Sequence, residues 1–156
     1  GLAYATSDRG ACHLRATFYK PELAGMIPAE QIEDKAELFI DFEDRLTLFD
    51  TLVFCRFYRD IYTWELLGDV IHAMTGLDGS RESIKQIADN VSDLARHFNL
   101  REGLTSADDR LPRALHRTLE KTGHVLTEGE LTHMLNDYYR LRGWDADGRP
   151  AKEISI

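Results

Sequence analysis

Few stretches of this chain combine residues able to ligate a metal or move a proton. Cys12 is followed directly by His13, within Ser7-Asp8-Arg9-Gly10-Ala11-Cys12-His13-Leu14-Arg15. Asp50 and Cys55 stand five apart in the densest apolar run, residues 38–58, and Glu130-x-x-His133 and Asp145-Ala146-Asp147-Gly148 lie near the C-terminus. A thiolate is a metal ligand, and an imidazole can give or take a proton beside a substrate oxygen near neutral pH. A carboxylate inside an apolar run needs hydrogen-bond donors or a cation, so Asp50 is expected to be buried and to hold something. Taken alone, Cys55 reads as a small apolar core residue. The two later groups are weaker. Glu130 and His133 have the one-turn spacing of a di-iron motif, but such bundles need a second copy and further glutamates, so they read as a solvated pair. Asp145 to Gly148 has the opening of a calcium loop without its later ligands, and reads as a turn.

These residues must be positioned by helices. Leu38, Phe42, Leu46, Phe49, Leu52 and Val53 recur at three- and four-residue steps, which predicts a helix packed on more than one side. Along such a helix, residues five apart are turned by about 140°, so Asp50 and Cys55 do not share a face while Thr51 and Cys55 do. Pro28 marks the expected start of the segment that runs into it, after a loop from Lys20 punctuated by Gly25. Ser7 or Asp8 is expected to cap an earlier helix from about Arg9, with Gly10 allowing close backbone approach. His13 would then lie in the first turns, where a helix N-terminus disfavours the charged imidazolium. Asp60 to Met74 reads as a helix ended by Gly76. Ser80 caps Arg81 to Asn99, whose stripe is Ile84, Ile87, Val91, Leu94, Ala95 and Phe98. Thr127 caps a last helix through Leu141, with Leu131, Met134, Leu135, Tyr138 and Leu141 inward. His72 and His97 read as structural. The loosest part is Arg101 to Leu126, where Arg110 to Ala114 forms an ordered loop that either edges a substrate entrance or simply crosses between helices. No strand-like alternation is convincing, so the expected fold is all-α: one compact multi-helix domain over residues 1–156.

Composition narrows the function classes. The 156 residues are 43% hydrophobic and 29% charged, with a net charge of −8. That balance argues against a nucleic-acid partner, which clustered Lys and Arg would serve. No apolar run reaches membrane-spanning length and no stretch has signal-peptide form. Two cysteines allow at most one disulfide, so a reducing cytoplasm is the expected compartment. The first residue is not methionine, and the chain is read as the C-terminal part, or a truncated piece, of a longer protein.

Five stretches, in order, carry a resemblance to a known family. Ala3 to Arg15 is similar to A-Y-A-T-x-x-R-G-x-x-H-L-R. Asp50-Thr51-Leu52-Val53-Phe54-Cys55 is similar to D-x-x-G-L-C. Asn99-Leu100-Arg101-Glu102-Gly103, then Asp108-Asp109 with Leu111-Pro112, then Tyr138 to Asp145 follow in the family's order. The family is that of the tungsten-containing aldehyde:ferredoxin oxidoreductases, and the resemblance spans residues 1 to about 150. It implies the C-terminal helical domain of an enzyme that oxidises aldehydes to carboxylic acids at a tungsten (or molybdenum) bis-pterin centre. Electrons then pass through a 4Fe–4S cluster to ferredoxin. His13 matches the histidine near the metal, a candidate for proton transfer. Asp50 matches the pterin-holding aspartate, with Arg9 and Gly10 also placed toward the cofactor. Cys55 matches the fourth cluster ligand. A cluster takes four thiolates, so no cofactor is expected in the isolated chain, whose partners would be upstream pterin-binding and cluster-binding domains. The family has glycine where this chain has Val53, and a valine argues against a left-handed turn there. Two other readings compete: a stand-alone helical binding or interaction domain without catalytic activity, and a divergent member acting on another aldehyde or an aromatic acid thioester. An upstream C-x-x-C-x-x-x-C motif would separate the enzyme from the interaction domain.

Overall fold

A 17-residue helix, α3 (Lys35–Thr51), runs through both hydrophobic clusters of the computed structural model, which describes residues 1–120 and 123–151. Five further helices surround it among the described residues: α1 (Leu2–Thr6), α2 (Tyr19–Leu23), α4 (Trp64–Thr75), α5 (Arg81–Arg101) and α6 (Glu128–Arg142). The only β pairing among the described residues is two isolated bridges, Asp8–Gly10 and Trp144–Pro150, so the all-α expectation holds. No helix among them is long and apolar enough to cross a membrane.

α3 packs on more than one side, as its broad apolar period requires. Its first half joins α1 and α6, where Phe39 meets Phe18 and Tyr138 edge-on at ring-centroid distances of 5.5 and 5.7 Å. Its second half joins α4 and α5, where Phe49 meets Phe54 and Tyr62 at 5.7 and 5.5 Å. Between the clusters lies a buried ion network. Arg142 donates to Glu43 (2.6 Å), Asp44 (2.6 Å) and Asp89 (2.9 Å), and the Tyr138 hydroxyl donates to Glu43 (2.8 Å).

The ends of α4, α5 and α6 follow local chemistry. Thr63, Ser80 and Thr127 each accept an N–H of the first turn, and Thr127 with Glu130 completes a capping box. Gly76 and Gly143 close α4 and α6 in the left-handed region. Gly68 and Gly79 let α4 touch the backbone of the following loop, since a Cβ at Gly68 would meet the Gly79 carbonyl oxygen at 2.0 Å.

Several expectations need correction. No helix starts near Arg9: α1 ends at Thr6, and Asp8 to Arg15 is a succession of turns. Asp8 is unavailable as a cap because Arg15 Nε engages its carboxylate at 3.1 and 3.2 Å. His13 therefore lies beyond any helix N-terminus, and the dipole reason for a neutral imidazole falls away. α3 starts at Lys35 rather than near Pro28, because the Lys35 ammonium is drawn inward to Glu22 (2.9 Å) and the Ala29 carbonyl (2.7 Å). α4 starts four residues later than expected, at Trp64 behind its Thr63 cap. Leu94, Phe98 and Leu141 are exposed, so the stripe on α5 runs out of the core toward its C-terminal end.

Candidate functional site

The end of α3 is where the chemistry-bearing residues gather. Leu52 closes the helix, Val53 takes φ 56°, its N–H bonds to the Asp50 carbonyl (3.1 Å), and the Phe54 N–H reaches back to Phe49 (2.8 Å). Those two bonds, with the Phe49–Phe54 ring contact, make a Schellman ending with valine at the left-handed position. Valine argued against a left-handed turn here, yet Val53 adopts it: two hydrogen bonds and the packing of Phe54 on the buried Phe49 ring hold it there. The chain next presents Cys55, an exposed free thiol, and a short 3₁₀ turn, Arg56–Tyr58.

Asp50 is not buried; its side chain is 39% exposed at the open end of the helix. It is nonetheless held. Arg56 grips both its oxygens, Nε to Oδ1 at 3.0 Å and Nη2 to Oδ2, while Arg15 Nη1 lies 3.5 Å from Oδ2. The remaining nitrogen of Arg56 donates to the carbonyls of Leu14 and Arg15. One guanidinium therefore brackets the Cys55 turn against the segment that carries His13. Asn99 on α5 steadies the same segment by donating to the Asp8 carbonyl at 2.7 Å.

Three hollows surround this junction. A groove of about 670 Å³ is lined by Asp8, Arg9, Arg15 and Asp50, with Leu94 and Phe98 of α5 as its apolar wall. His13 faces elsewhere, onto a cavity of about 570 Å³ lined by Tyr4, Phe18, Tyr19, Ile32, Leu126 and Met134. Its ring lies between Tyr4 and Tyr19 at centroid distances of 6.5 and 6.0 Å. Gly10, with φ 83°, borders a third hollow, which Arg110 to Arg113 also edge. The His13 cavity is instead lined by the next stretch, including Leu115 and Leu119.

The structure therefore unites Arg9 with Asp50 in one groove and bonds the Cys55 turn to the His13 segment. His13 and Gly10 open onto other spaces. Sequence reasoning missed Arg15, whose partners lie 7 and 35 residues away; the visible signal was an arginine inside the first motif. It noted Cys12 beside His13 but gave the thiol no role. Burial pushes that thiol up, but backbone hydrogen bonds from Leu14 and Arg15 and the Arg9 guanidinium at 3.4 Å outweigh it and leave the thiol below its usual range.

The donor set fits a shared cofactor region in part. Cys55 offers one open thiolate position, a quarter of what a 4Fe–4S cluster takes. A carboxylate has about four acceptor sites. Three contacts already reach Asp50, which leaves one acceptor site on Oδ1 open.

The profile of the family described as aldehyde ferredoxin oxidoreductase, domains 2 & 3, matches residues 1–155. The chain belongs to this family. The tungsten-containing aldehyde ferredoxin oxidoreductases of Pyrococcus furiosus and Thermococcus kodakarensis are each 35% identical to it over 165 aligned positions, covering 98% of the chain. The chain spans 26% of the length of these oxidoreductases. A solved structure, the active-site complex BamBC of benzoyl coenzyme A reductase with 1,5-dienoyl-CoA, aligns with a TM-score of 0.59. It covers 80% of the chain and 20% of its own at 22% identity, a likeness of fold alone.

Proposed function

We propose that this chain serves as the C-terminal helical part of an aldehyde-oxidising tungsten (or molybdenum) pterin enzyme that passes electrons through a 4Fe–4S cluster to ferredoxin. The observation that carries the reading is the junction at the end of α3. An open thiol stands on a strained, fully hydrogen-bonded turn, five residues after a carboxylate that the same turn's arginine holds. When bound, the metal–pterin group supplies the two-electron chemistry that takes an aldehyde and water to a carboxylic acid.

The chain's own residues have distinct parts in this reading. Cys55 holds one iron of the cluster through its thiolate, and the upstream domain provides the other thiolates. Asp50 accepts a pterin N–H at its remaining site, oriented by Arg56 and Arg15, with Arg9 alongside in the groove. Gly10 gives close backbone access on the adjoining face. His13 moves a proton through its imidazole at the edge of the cavity that Tyr4, Phe18 and Leu126 also line. The apolar wall of Leu94 and Phe98 is surface for the upstream domains to cover. The stand-alone interaction reading drew slight support from Val53, and Val53 keeps the left-handed turn.

The test uses the complete enzyme with two variants. Cys55→Ser should lower cluster iron and the low-temperature EPR signal of the reduced cluster, with pterin content retained. His13→Ala should keep all cofactors and lose about 10²–10⁴-fold in turnover. A Cys55→Ser enzyme with its full iron and EPR signal would remove Cys55 from the cluster, and unchanged turnover in His13→Ala would return His13 to a structural role.

A further inference from the structure

Glu130 stands one turn before His133 on α6 but is not its partner. The Glu130 carboxylate accepts from the backbone N–H and hydroxyl of Thr127, both at 2.8 Å, in the capping box of α6. The groups that do meet His133 are two carboxylates from different elements. Nε2 lies 3.3 Å from Glu33 Oε2 and 3.4 Å from Asp137 Oδ2, and all three donor atoms fall within 4.8 Å of one another.

A single ring nitrogen carries at most one hydrogen, so it cannot point a full hydrogen bond at both oxygens. Both distances also exceed the roughly 2.7–2.9 Å of a charge-assisted N–H···O bond. They match another geometry. A tetrahedron with arms of about 2.0–2.1 Å, the usual zinc–nitrogen and zinc–oxygen lengths, has edges of about 3.3–3.4 Å. Two edges of the donor triangle have that length and the third is no longer than 4.8 Å, so one ion can stand between the three donors.

The supporting frame suits such a centre. His133 and Asp137 are one turn apart on α6 and share a face. Arg140 occupies the other oxygen of Asp137 at 3.0 Å, which leaves Oδ2 free to ligate. Glu33 comes from the turn before α3, where Gln31 Nε2 donates to the Glu33 carbonyl at 2.8 Å and Asp34 adopts φ 61°. Glu33 and His133 are exposed, so an ion can reach them from solvent. We propose that Glu33, His133 and Asp137 form a divalent transition-metal site of the zinc type, with a water-filled fourth position. Two carboxylates and a neutral imidazole balance the ion's charge. Its effect is mechanical: Ala29, Glu30 and Ile32 before α3 and Met134 on α6 line the His13 cavity, so the ion fastens two walls of that cavity together.

The experiment uses this chain, stripped of metal, with Zn²⁺ and Co²⁺ as probes. Calorimetry should give one ion per chain, and Co²⁺ should develop the intense visible band of four-coordinate geometry. Glu33→Gln, His133→Ala and Asp137→Asn should each weaken binding by at least about tenfold. Glu130→Gln, which keeps the capping box, should not. Zn²⁺ should slow amide exchange across residues 29–34 in the parent chain and not in His133→Ala. Binding that survives His133→Ala and Glu33→Gln but vanishes in Cys12→Ser or Cys55→Ser would overturn the proposal, as would the absence of any saturable binding. Glu33 and His133 are surface residues, so their variants fold, and folding is checked by circular dichroism.

Discussion

Val53→Gly tests whether the turn that presents Cys55 stores strain. Valine at φ 56° places a β-branched carbon against the following carbonyl, which costs roughly 1–2 kcal/mol relative to the right-handed region. The side chain is 90% exposed, so trimming it removes almost no buried surface. Glycine adds freedom to the unfolded chain, an opposing effect of about 0.5–1 kcal/mol. The two Schellman hydrogen bonds and the Phe49–Phe54 contact are untouched. The balance is a gain of about 1 kcal/mol, read as a rise in melting temperature of about 2–4 °C for a chain of this size. In urea the midpoint should rise by about 0.5 M with an unchanged slope. Val53→Ala keeps a Cβ in the left-handed region and should recover less than half of the gain. A lower midpoint for Val53→Gly, or equal gains for glycine and alanine, would refute the strain.

Two further outcomes follow from the buried ion groups. Burial, followed in effect by Arg142, which opposes it, and by Asp89 and Glu43, which reinforce it, raises the Asp44 carboxyl from 3.8 to about 6. The folded state therefore binds a proton that the unfolded state releases, so stability falls as pH rises from about 4 through 6, by up to about 3 kcal/mol; urea midpoints at pH 5 should exceed those at pH 7, and Asp44→Asn should flatten the difference. Arg96→Met should destabilise by about 3–5 kcal/mol, because it strands the buried Asp109 carboxylate that Arg96 holds at 2.6 and 3.0 Å; an unchanged denaturation midpoint would show that Tyr139 alone suffices.

What the sequence made legible was decided by neighbours along the chain. Ser80, Thr127, Gly76 and Gly143 act on backbone groups within a turn, and the helices stop or start beside them. The misread boundaries were decided from afar. Asp8 could have capped a helix but spends its carboxylate on Arg15, and the start of α3 is set by Lys35 reaching back to Glu22. Asp50 looked buried because its run is apolar, yet the last turn of α3 emerges from the second core, and its cation comes from residue 15 as well as residue 56. The network of Glu43 and Asp44 with Arg142 bridges nearly a hundred residues, so periodicity alone placed those carboxylates between the core positions.

The order of the matched motifs carries a related lesson. Most of their polar residues serve the frame rather than the chemistry. Asn99 holds the Asp8 carbonyl, Asp109 pairs with Arg96 and accepts from Tyr139, and the Trp144 indole donates to Asp93 at 2.7 Å. Together these bonds lock α5, α6 and the loop between them around the segment from Asp8 to Arg15. The frame fixes where the end of α3 meets that segment, and the Schellman bonds hold Val53 in the left-handed turn. Arg56, immediately after the thiol, joins the Asp50 carboxylate to the carbonyls of Leu14 and Arg15, and Arg15 reaches the same carboxylate from the histidine's own segment.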